Sequence, residues 1–168
     1  MKRRQFLYRG AGTLALLAGG TALWWSRGSD PATAATGEFE IEKSEAEWRE
    51  ILTDEQYLVL REEKTERAFT SELLKEKRKG IFHCAGCDLP VYSSEVKYDS
   101  GTGWPSFWES LPDAIGTKED NSLFMTRTEC HCRRCGGHFG HIFDDGPQPT
   151  GKRHCLNGLA LTFKPATA

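Results

Sequence analysis

Two pairs of cysteines, each with two residues between its members, constrain the fold of this chain more than any other feature. Cys84 and Cys87 form the first pair, and Cys132 and Cys135 form the second. Together they offer the four thiolates of a closed, tetrahedral zinc site. The gap between the pairs is longer than in an ordinary zinc ribbon, so we predict one structural zinc ion that joins two distant parts of a single domain. Two disulfides, or a thioredoxin-like redox pair, are the alternatives at this point.

Composition limits the class of protein. The chain has 168 residues, 38% of them hydrophobic, which suits one domain with a core and excludes a disordered chain, a polytopic membrane protein and a solenoid. The 22 basic and 24 acidic residues become 17 and 23 once the first 35 positions are set aside, a net charge of about −6. Phosphate binding depends on an excess of Lys and Arg, so we expect no nucleic-acid partner.

The first 34 residues have the layout of an export signal. Residues 2–7 contain a twin-arginine pattern, and residues 11–25 carry no charge. That run is shorter than the roughly 20 residues a spanning helix needs. Residues 32–34 offer a small-residue cleavage site, whereas Trp24 and Trp25 suit an uncleaved membrane anchor. We predict export by the twin-arginine route to the periplasm or another extracytoplasmic compartment, with membrane contact only through this segment if it is uncleaved.

The rest of the chain predicts a linker at residues 35–40 and one domain at residues 41–166. Ser44 and Glu47 form a capping box, which predicts a first helix, and Thr53 begins a second. We expect their buried positions to be Trp48, Ile51, Leu52, Tyr57, Leu58 and Leu60. The charged run from Glu62 to Arg67 is interpreted as a solvated face.

After Gly80 the pattern becomes typical of β structure. The short segments rich in aromatic and β-branched residues, separated by turn signals, predict strands at 81–83, 89–92, 123–125, 139–143 and 154–163. The predicted fold is therefore mainly β, with helices at its amino end.

Cys155 lies outside the two pairs. On a strand, the two-residue period places Arg153, Cys155 and Asn157 on one face. A guanidinium near a thiol favours the thiolate, and Asn157 can donate a hydrogen bond beside it. A nucleophile and a buried structural cysteine are both open from these residues alone.

Two further clusters suggest chemistry. His138 and His141 offer two imidazoles three residues apart, which suit acid and base roles as well as structural ones. The Gly103–Phe107 segment, GWPSF, is a rigid aromatic turn in which Trp104 walls a pocket or fills the core.

In this order, GWPSF, C-x2-C-x2-H-x2-H beginning at Cys132 and R-x-C-x-N beginning at Arg153 resemble the methionine-R-sulfoxide reductases of the B type. The similarity extends from about Glu45 to Phe163. It implies two twisted antiparallel sheets with N-terminal helices, and one structural Zn²⁺ on the four paired cysteines. It also implies that Cys155 attacks the sulfoxide sulfur and becomes a sulfenic acid, in a protein-repair reaction after oxidation.

The same resemblance implies roles for other residues. His138, His141 and Asn157 belong to the catalytic group with Cys155. Trp104, Phe107 and Arg153 bind the substrate, which is oxidised methionine in proteins or peptides. A thioredoxin-like protein or another thiol would be the reductant, and we expect a monomer.

Three positions depart from the common family pattern. Thr102 stands where a resolving cysteine is often found, so we favour direct recycling by a reductant, with Cys130 as the alternative resolving cysteine. Cys130 also has the strand parity of Cys132, so it is otherwise a candidate for a thiol close to the zinc site or for a plain buried thiol. His154 replaces a common tyrosine, and we expect it on the face opposite Cys155.

Two other functions compete with this interpretation. The paired cysteines alone would allow a zinc-knuckle binding module without catalysis. A reactive Cys155 alone would allow a thiol peroxidase or a disulfide exchanger.

Overall fold

The architecture was established with a computed structural model that describes residues 39–122 and 125–167. The predicted export signal and most of the predicted linker lie outside the described residues. Within the described ranges, no helix combines the length and apolar character needed to cross a membrane.

The first helix begins where its capping box predicts. Helix α1 is Glu45–Ile51, the Ser44 hydroxyl accepts from the backbone N–H of Glu47, and the Glu47 carboxylate accepts from that of Ser44. Trp48 and Leu52 are buried as expected. Ile51 is 53% exposed, contrary to expectation, because it is the last residue of a short helix whose buried face is centred on Trp48.

A second capping box, formed by Thr53 and Gln56, begins helix α2, Asp54–Glu62. Tyr57 and Leu60 are buried, as predicted. Leu58 is 39% exposed, whereas Val59 is buried, so the assignment of Leu58 to the core is wrong. Val59 takes its place on the buried face, between Tyr57 and Leu60.

Within the described residues, nine strands form two antiparallel sheets, which confirms a mainly β fold with few helices. The strands are β1 Gly80–Cys84, β2 Pro90–Ser93, β3 Lys97–Tyr98, β4 Ser106–Phe107, β5 Ile115–Asp120, β6 Arg127–Cys132, β7 His138–Phe143, β8 Arg153–Leu156 and β9 Leu161–Pro165. One sheet has the order β2-β1-β9, and the other has the order β3-β4-β8-β7-β6-β5. Strand β8 is thus an inner strand of the larger sheet.

The sequence pattern missed the hairpin formed by β5 and β6. A strand was expected at 123–125, but positions 123 and 124 lie outside the described residues and Met125 is 57% exposed before β6 begins. The predicted strand at 154–163 is divided into β8 and β9 by a short 3-10 helix, Gly158–Ala160. The missed strand β5 is mostly polar and exposed, so it carries little of the apolar alternation that marks a strand.

Aromatic side chains join the two sheets. The ring of Phe107 lies 5.0 Å from that of Phe82 and 4.6 Å from that of Tyr92, and all three side chains are fully buried. Phe82 and Tyr92 belong to the smaller sheet and Phe107 to the larger one. This cluster fixes the core-facing side of the larger sheet and leaves its other side for the candidate site.

Candidate active site and metal centre

The two cysteine pairs meet at one point. Cys84 ends β1 and Cys132 ends β6, so the cluster joins the two sheets. The four sulfur atoms lie within 4.8 Å of one another, and the Sγ–Sγ distances are 3.7 Å for Cys84–Cys135 and 3.5 Å for Cys87–Cys132. These distances exclude disulfides, whose sulfurs are about 2.0 Å apart.

The cluster fits a tetrahedral metal ion. Metal–sulfur bonds of about 2.3 Å in tetrahedral geometry place the sulfurs about 3.8 Å apart, close to the distances observed. The hydrogen bond with Cys132 lowers the pKa of Cys87, whereas the one with Cys132 raises the pKa of Cys84. Four thiols this close do not all ionise without a cation, and a metal ion supplies that charge. In the described part of the chain, this is the one cluster of three or more Cys, His, Asp or Glu side chains with such spacing.

Cys155 lies elsewhere, in the middle of the larger sheet. It is directly opposite Ser106 on β4 and His141 on β7. Directly opposed residues of antiparallel strands share a face, with Cβ atoms about 5 Å apart. His141 is therefore the imidazole next to the Cys155 sulfur.

The Cys155 side chain is partly exposed at a cavity of about 150 Å³. The lining residues are Thr65, Trp104, Arg127, Gly140, His141, Phe143, Cys155, Leu156 and Asn157. Four of the predicted site residues, Cys155, His141, Trp104 and Asn157, are thus brought together. The volume and the two aromatic walls suit a small, partly apolar group.

A bulge in β7 puts both histidines on one face. His138 pairs with His131 and His141 pairs with Glu129, although the two histidines are three positions apart on β7, an odd spacing that would put them on opposite faces of a regular strand. Gly140 lies in the bulge at φ 155°, and a Cβ atom there would be 2.1 Å from the carbonyl oxygen of Cys155. Only glycine allows this approach of the two strands.

Each histidine is held by a carboxylate. His138 Nδ1 lies 2.7 Å from Glu129 Oε1, and both side chains are almost fully buried. His141 Nε2 lies 2.8 Å from Asp120 Oδ2. Because a carboxylate only accepts, these two nitrogens carry the protons. His138, which does not line the cavity, lies behind His141, with the ring centroids 5.6 Å apart.

The surroundings set the charges of these groups. Burial acts to raise the pKa of Glu129, but hydrogen bonds from His138 and Lys118 outweigh burial and hold the pKa below its usual value. Burial lowers the pKa of His141, and the hydrogen bond to Asp120 only partly opposes it. His141 is therefore neutral at pH 7, with Nδ1 able to accept a proton.

Trp104 and Asn157 are both fixed by the backbone of Glu66. The Trp104 indole N–H donates to the Glu66 carbonyl at 3.2 Å, and the Glu66 N–H donates to Asn157 Oδ1 at 2.9 Å. The Asn157 amide also donates to the Phe139 carbonyl at 2.9 Å. Asn157 thus ties the chain near Trp104 to the sheet.

Glu66 itself is buried, so the prediction of a fully solvated charged run is wrong at this position. Its carboxylate accepts from the backbone N–H groups of Gly158 at 2.6 Å and Leu159 at 3.1 Å. Burial raises its pKa, against the lowering effect of those two donors. Sequence reasoning missed this role because both partners lie more than 90 positions away.

Arg153 is near the cavity without lining it. Its guanidinium binds the Asp145 carboxylate through two hydrogen bonds of 2.8 and 2.9 Å and lies 4.3 Å from the ring centroid of Phe143. The bond with Asp145 raises the pKa of Arg153. Arg153 therefore holds the Phe143 wall and adds positive charge near the sulfur.

Phe107 and His154 lie on the face of the sheet opposite Cys155. Phe107 pairs with His154, and both lie in the core, so Phe107 does not reach the cavity and its expected place in the substrate site is corrected. The expected position of His154, facing away from Cys155, is confirmed. The His154 Nδ1 lies 3.0 Å from the Tyr92 hydroxyl, and burial lowers its pKa to about 4.

Cys130 also faces the core. It is fully buried opposite Gly140, and burial raises its pKa to about 12. Its neighbour Glu129, one position earlier, is on the face that carries His141. The β-sheet backbone thus separates the Cys130 side chain from that of Cys155, and Cys130 is not part of the metal cluster.

Two residues beside His141, Arg127 and Asp120, were not predicted as site residues. Arg127 lines the cavity and donates to Asp120 Oδ2 at 2.6 Å, the same oxygen that accepts from His141. The backbone N–H of Ser122 and these two donors lower the pKa of Asp120. These residues flank the missed turn between β5 and β6, so no strand signal indicated that they meet.

Comparison of the sequence with known proteins identifies its family. The model of the SelR domain matches residues 52–165. The protein named peptide methionine sulfoxide reductase MsrB of Methanosarcina barkeri is 53% identical over 125 residues, 74% of this chain and 88% of that protein. The proteins of the same name from Agrobacterium fabrum and Leifsonia xyli are 49% and 51% identical, over 74% and 79% of this chain and 93% and 96% of their own lengths.

Proposed function

The chain belongs to the SelR family of MsrB-type peptide methionine sulfoxide reductases and is an enzyme of methionine sulfoxide reduction, and we propose that it acts on the R epimer in oxidised proteins and peptides. The observation that carries the catalytic assignment is the position of Cys155. Its sulfur faces a cavity of about 150 Å³ between Trp104 and His141. The R preference rests on the family resemblance.

Cys155 is the proposed nucleophile. Neutral His141 accepts the thiol proton at Nδ1, and the thiolate attacks the electrophilic sulfoxide sulfur. The imidazolium then protonates the sulfoxide oxygen, which is otherwise a poor leaving group. The protonated oxygen leaves as water from the sulfur-bonded intermediate, and a water oxygen then bonds to the Cys155 sulfur while the S–S bond breaks and methionine departs. A thiol and a sulfoxide thus become a sulfenic acid and methionine, with no net change in water. His138 supports His141 from behind, and Asp120 fixes its orientation.

The cavity walls hold the substrate during this step. Trp104 and Phe143 offer apolar surface for the methyl group beside the sulfoxide sulfur, while Arg127 and Asn157 offer donors near its oxygen. Exclusion of water by the aromatic rings strengthens these polar contacts. Phe107 contributes only indirectly. Its ring packs on Phe82 in the core and so holds β4, the strand on which Ser106 lies opposite Cys155.

Direct recycling fits the distribution of thiols. A resolving cysteine must reach the sulfenic acid, whereas Cys130 is fully buried on the other face. An external thiol therefore attacks Cys155, releasing water and forming a mixed disulfide. A second thiol restores Cys155 and leaves as a disulfide with the first, so two electrons are supplied for each methionine. A thioredoxin-like protein or a small dithiol has this chemistry.

Zinc is the metal we propose for the four-cysteine cluster. Four thiolates in a closed tetrahedron are typical of structural zinc, which holds the fold together and leaves no position open for substrate. Folding and metal uptake before export would also protect these thiols from an oxidising compartment. Together with the twin-arginine pattern at residues 2–7, this supports a protein exported in the folded state, whose clients are envelope or secreted proteins.

The test is the stereoselective reduction of a methionine sulfoxide peptide with dithiothreitol as reductant. We expect turnover of the R epimer and not of the S epimer, and loss of turnover in Cys155→Ser without loss of bound metal. A binding module would reduce neither epimer, and a general thiol exchanger would not distinguish them. Normal turnover in Cys155→Ser would remove Cys155 from the mechanism.

A further inference from the structure

The hydroxyl group of Thr102 lies beside the sulfur of Cys155, the proposed nucleophile. The hydroxyl oxygen lies 3.8 Å from Cys155 Sγ, within hydrogen-bond distance for sulfur. Among the described residues, no other side chain forms a hydrogen bond with this sulfur. The charged or titratable groups near Cys155 that make no such bond include His141 on β7, Arg127 on β6, Arg153 on β8 and Tyr98 on β3, while Cys130 on β6 lies behind the sheet.

A row of hydroxyl groups continues from Thr102. The Thr102 and Ser100 oxygens are 2.8 Å apart, and the Ser100 and Ser106 oxygens are 2.7 Å apart. The Ser106 hydroxyl donates to the carbonyl oxygen of Trp104 at 3.1 Å. The backbone N–H of Thr102 also donates to Ser100, at 3.4 Å.

The last bond sets the direction of the others. A carbonyl only accepts, and each hydroxyl has one proton. Since Ser106 donates to Trp104, Ser100 must donate to Ser106, and Thr102 must donate to Ser100. With all these bonds formed, the proton of Thr102 is used and its oxygen can only accept, from the Cys155 S–H group. The complete row of hydrogen bonds therefore suits the protonated form of Cys155.

Ionisation of Cys155 needs only one hydroxyl to turn. When the thiol proton leaves, the Thr102 hydroxyl rotates from Ser100 towards the thiolate and donates to it. Ser100 still accepts from the Thr102 backbone N–H and still donates to Ser106. No buried donor loses its partner, so the change carries little cost.

On the basis of the proposed function, we propose that Thr102 is a further catalytic residue, which accepts from the Cys155 thiol and donates to the thiolate that attacks the sulfoxide. The row ends at the Trp104 carbonyl, which has no proton to release, so it does not carry the proton away. The proton leaves on the cavity side, where His141 lies opposite Cys155. Thr102 thus stabilises the charge, while His141 moves the proton.

The test compares Thr102→Val, which keeps the shape and removes the hydroxyl, with Thr102→Ser, which restores it. The first readout is the rate of Cys155 alkylation by iodoacetamide as a function of pH, which needs no substrate. The second is the single-turnover rate with a methionine R-sulfoxide peptide. A hydrogen bond to a charged group predicts a fall of about 10- to 100-fold in both rates for Thr102→Val at neutral pH, and recovery of most of the rate in Thr102→Ser. Thr162→Val, on the exposed side of β9, is the matched control and is expected to behave as wild type.

Three outcomes would overturn this proposal. The first is wild-type alkylation in Thr102→Val. The second is slow turnover with normal alkylation, which would assign Thr102 a role in packing or substrate fit. The third is failure of Thr102→Ser to recover alkylation while metal content and circular dichroism are those of wild type. Failure of the proposed function is distinct, because the wild-type chain itself would then leave the sulfoxide unreduced.

Discussion

The two faces of the six-stranded sheet use similar side chains for different purposes: one face packs them in the core, and the other presents them at the cavity. One step along β8 leads from His154, buried against Tyr92, to Cys155 at the cavity. One step along β6 leads from Glu129, which holds His138, to Cys130, which is sealed in the core. Strand parity therefore decides whether a sulfur or an imidazole takes part in packing or in chemistry.

The metal cluster and Cys155 extend this comparison to sulfur alone. Three of the four clustered cysteines are buried, and each thiol is crowded by the other three. Cys155 is partly exposed, with a hydroxyl, an imidazole and a guanidinium near it. A closed set of thiols binds a metal and is unreactive, whereas a single accessible thiol with donors beside it is suited to nucleophilic attack.

Among substitutions that separate the metal cluster from the Cys155 site, Cys84→Ser is expected to have the largest effect. Structural zinc contributes about 10–16 kcal/mol in small zinc domains, as much as the whole stability of an average domain. We therefore expect loss of bound metal and of cooperative thermal unfolding, measured by metal analysis and circular dichroism. Cys155→Ser removes the same atom from the other site and should keep both properties. A Cys84→Ser protein with a full metal content and unchanged unfolding would break the comparison.

An intermediate effect is expected on the core-facing side of the sheet, where the buried His154 makes the stability of the fold depend on pH. Its pKa is about 4 in the folded protein and has the ordinary value of 6.5 when unfolded. As pH falls through 6.5 towards 4, the unfolded chain binds a proton that the folded chain does not, so stability present above pH 6.5 is progressively lost. The expected loss is about 2 kcal/mol between pH 7 and pH 5.

Urea unfolding of His154→Phe at the two pH values checks this assignment. His154→Phe should lack the loss of stability at low pH that His154 causes. The alkylation rate of Cys155 should stay near that of wild type, because the side chains at positions 154 and 155 are on opposite faces of the sheet. An unchanged pH dependence, or a large change in alkylation, would show that the two faces are not independent.

The smallest effect on activity is expected from Cys130→Ala. The substitution should cost about 1–2 kcal/mol of stability, because it leaves a small space in the core. Turnover with dithiothreitol should stay within about a factor of two, since the sulfur is on the wrong face to resolve a sulfenic acid. A disulfide between Cys130 and Cys155 in wild-type protein, trapped after one turnover and mapped by mass spectrometry, would contradict direct recycling.

The sequence predicted those parts that depend on local spacing. The two C-x2-C pairs gave the metal cluster, the capping box at Ser44 gave the start of α1, and parity gave the opposite orientations of Cys155 and His154. The side-by-side placement of His138 and His141 required the bulge at Gly140, which a regular strand pattern does not contain.

Contacts between residues far apart in the sequence could not be predicted from local spacing. A carboxylate in a charged run is normally solvated, and Glu66 is buried only because the backbone of Gly158 and Leu159 supplies two donors. Asp120 and Arg127 meet at His141 through a hairpin whose first strand is almost entirely polar. Phe107 was placed at the site by its motif, although the two-residue period of its strand turns it towards the core.

Cys155 is tested most directly as the nucleophile by measuring the mass of each cysteine-containing peptide after one equivalent of methionine R-sulfoxide, without reductant. We predict that Cys155 gains one oxygen atom, that one methionine forms for each chain, and that the four metal-cluster cysteines are unchanged. Formation of methionine with Cys155 unmodified, or with the oxygen on another cysteine, would contradict the account.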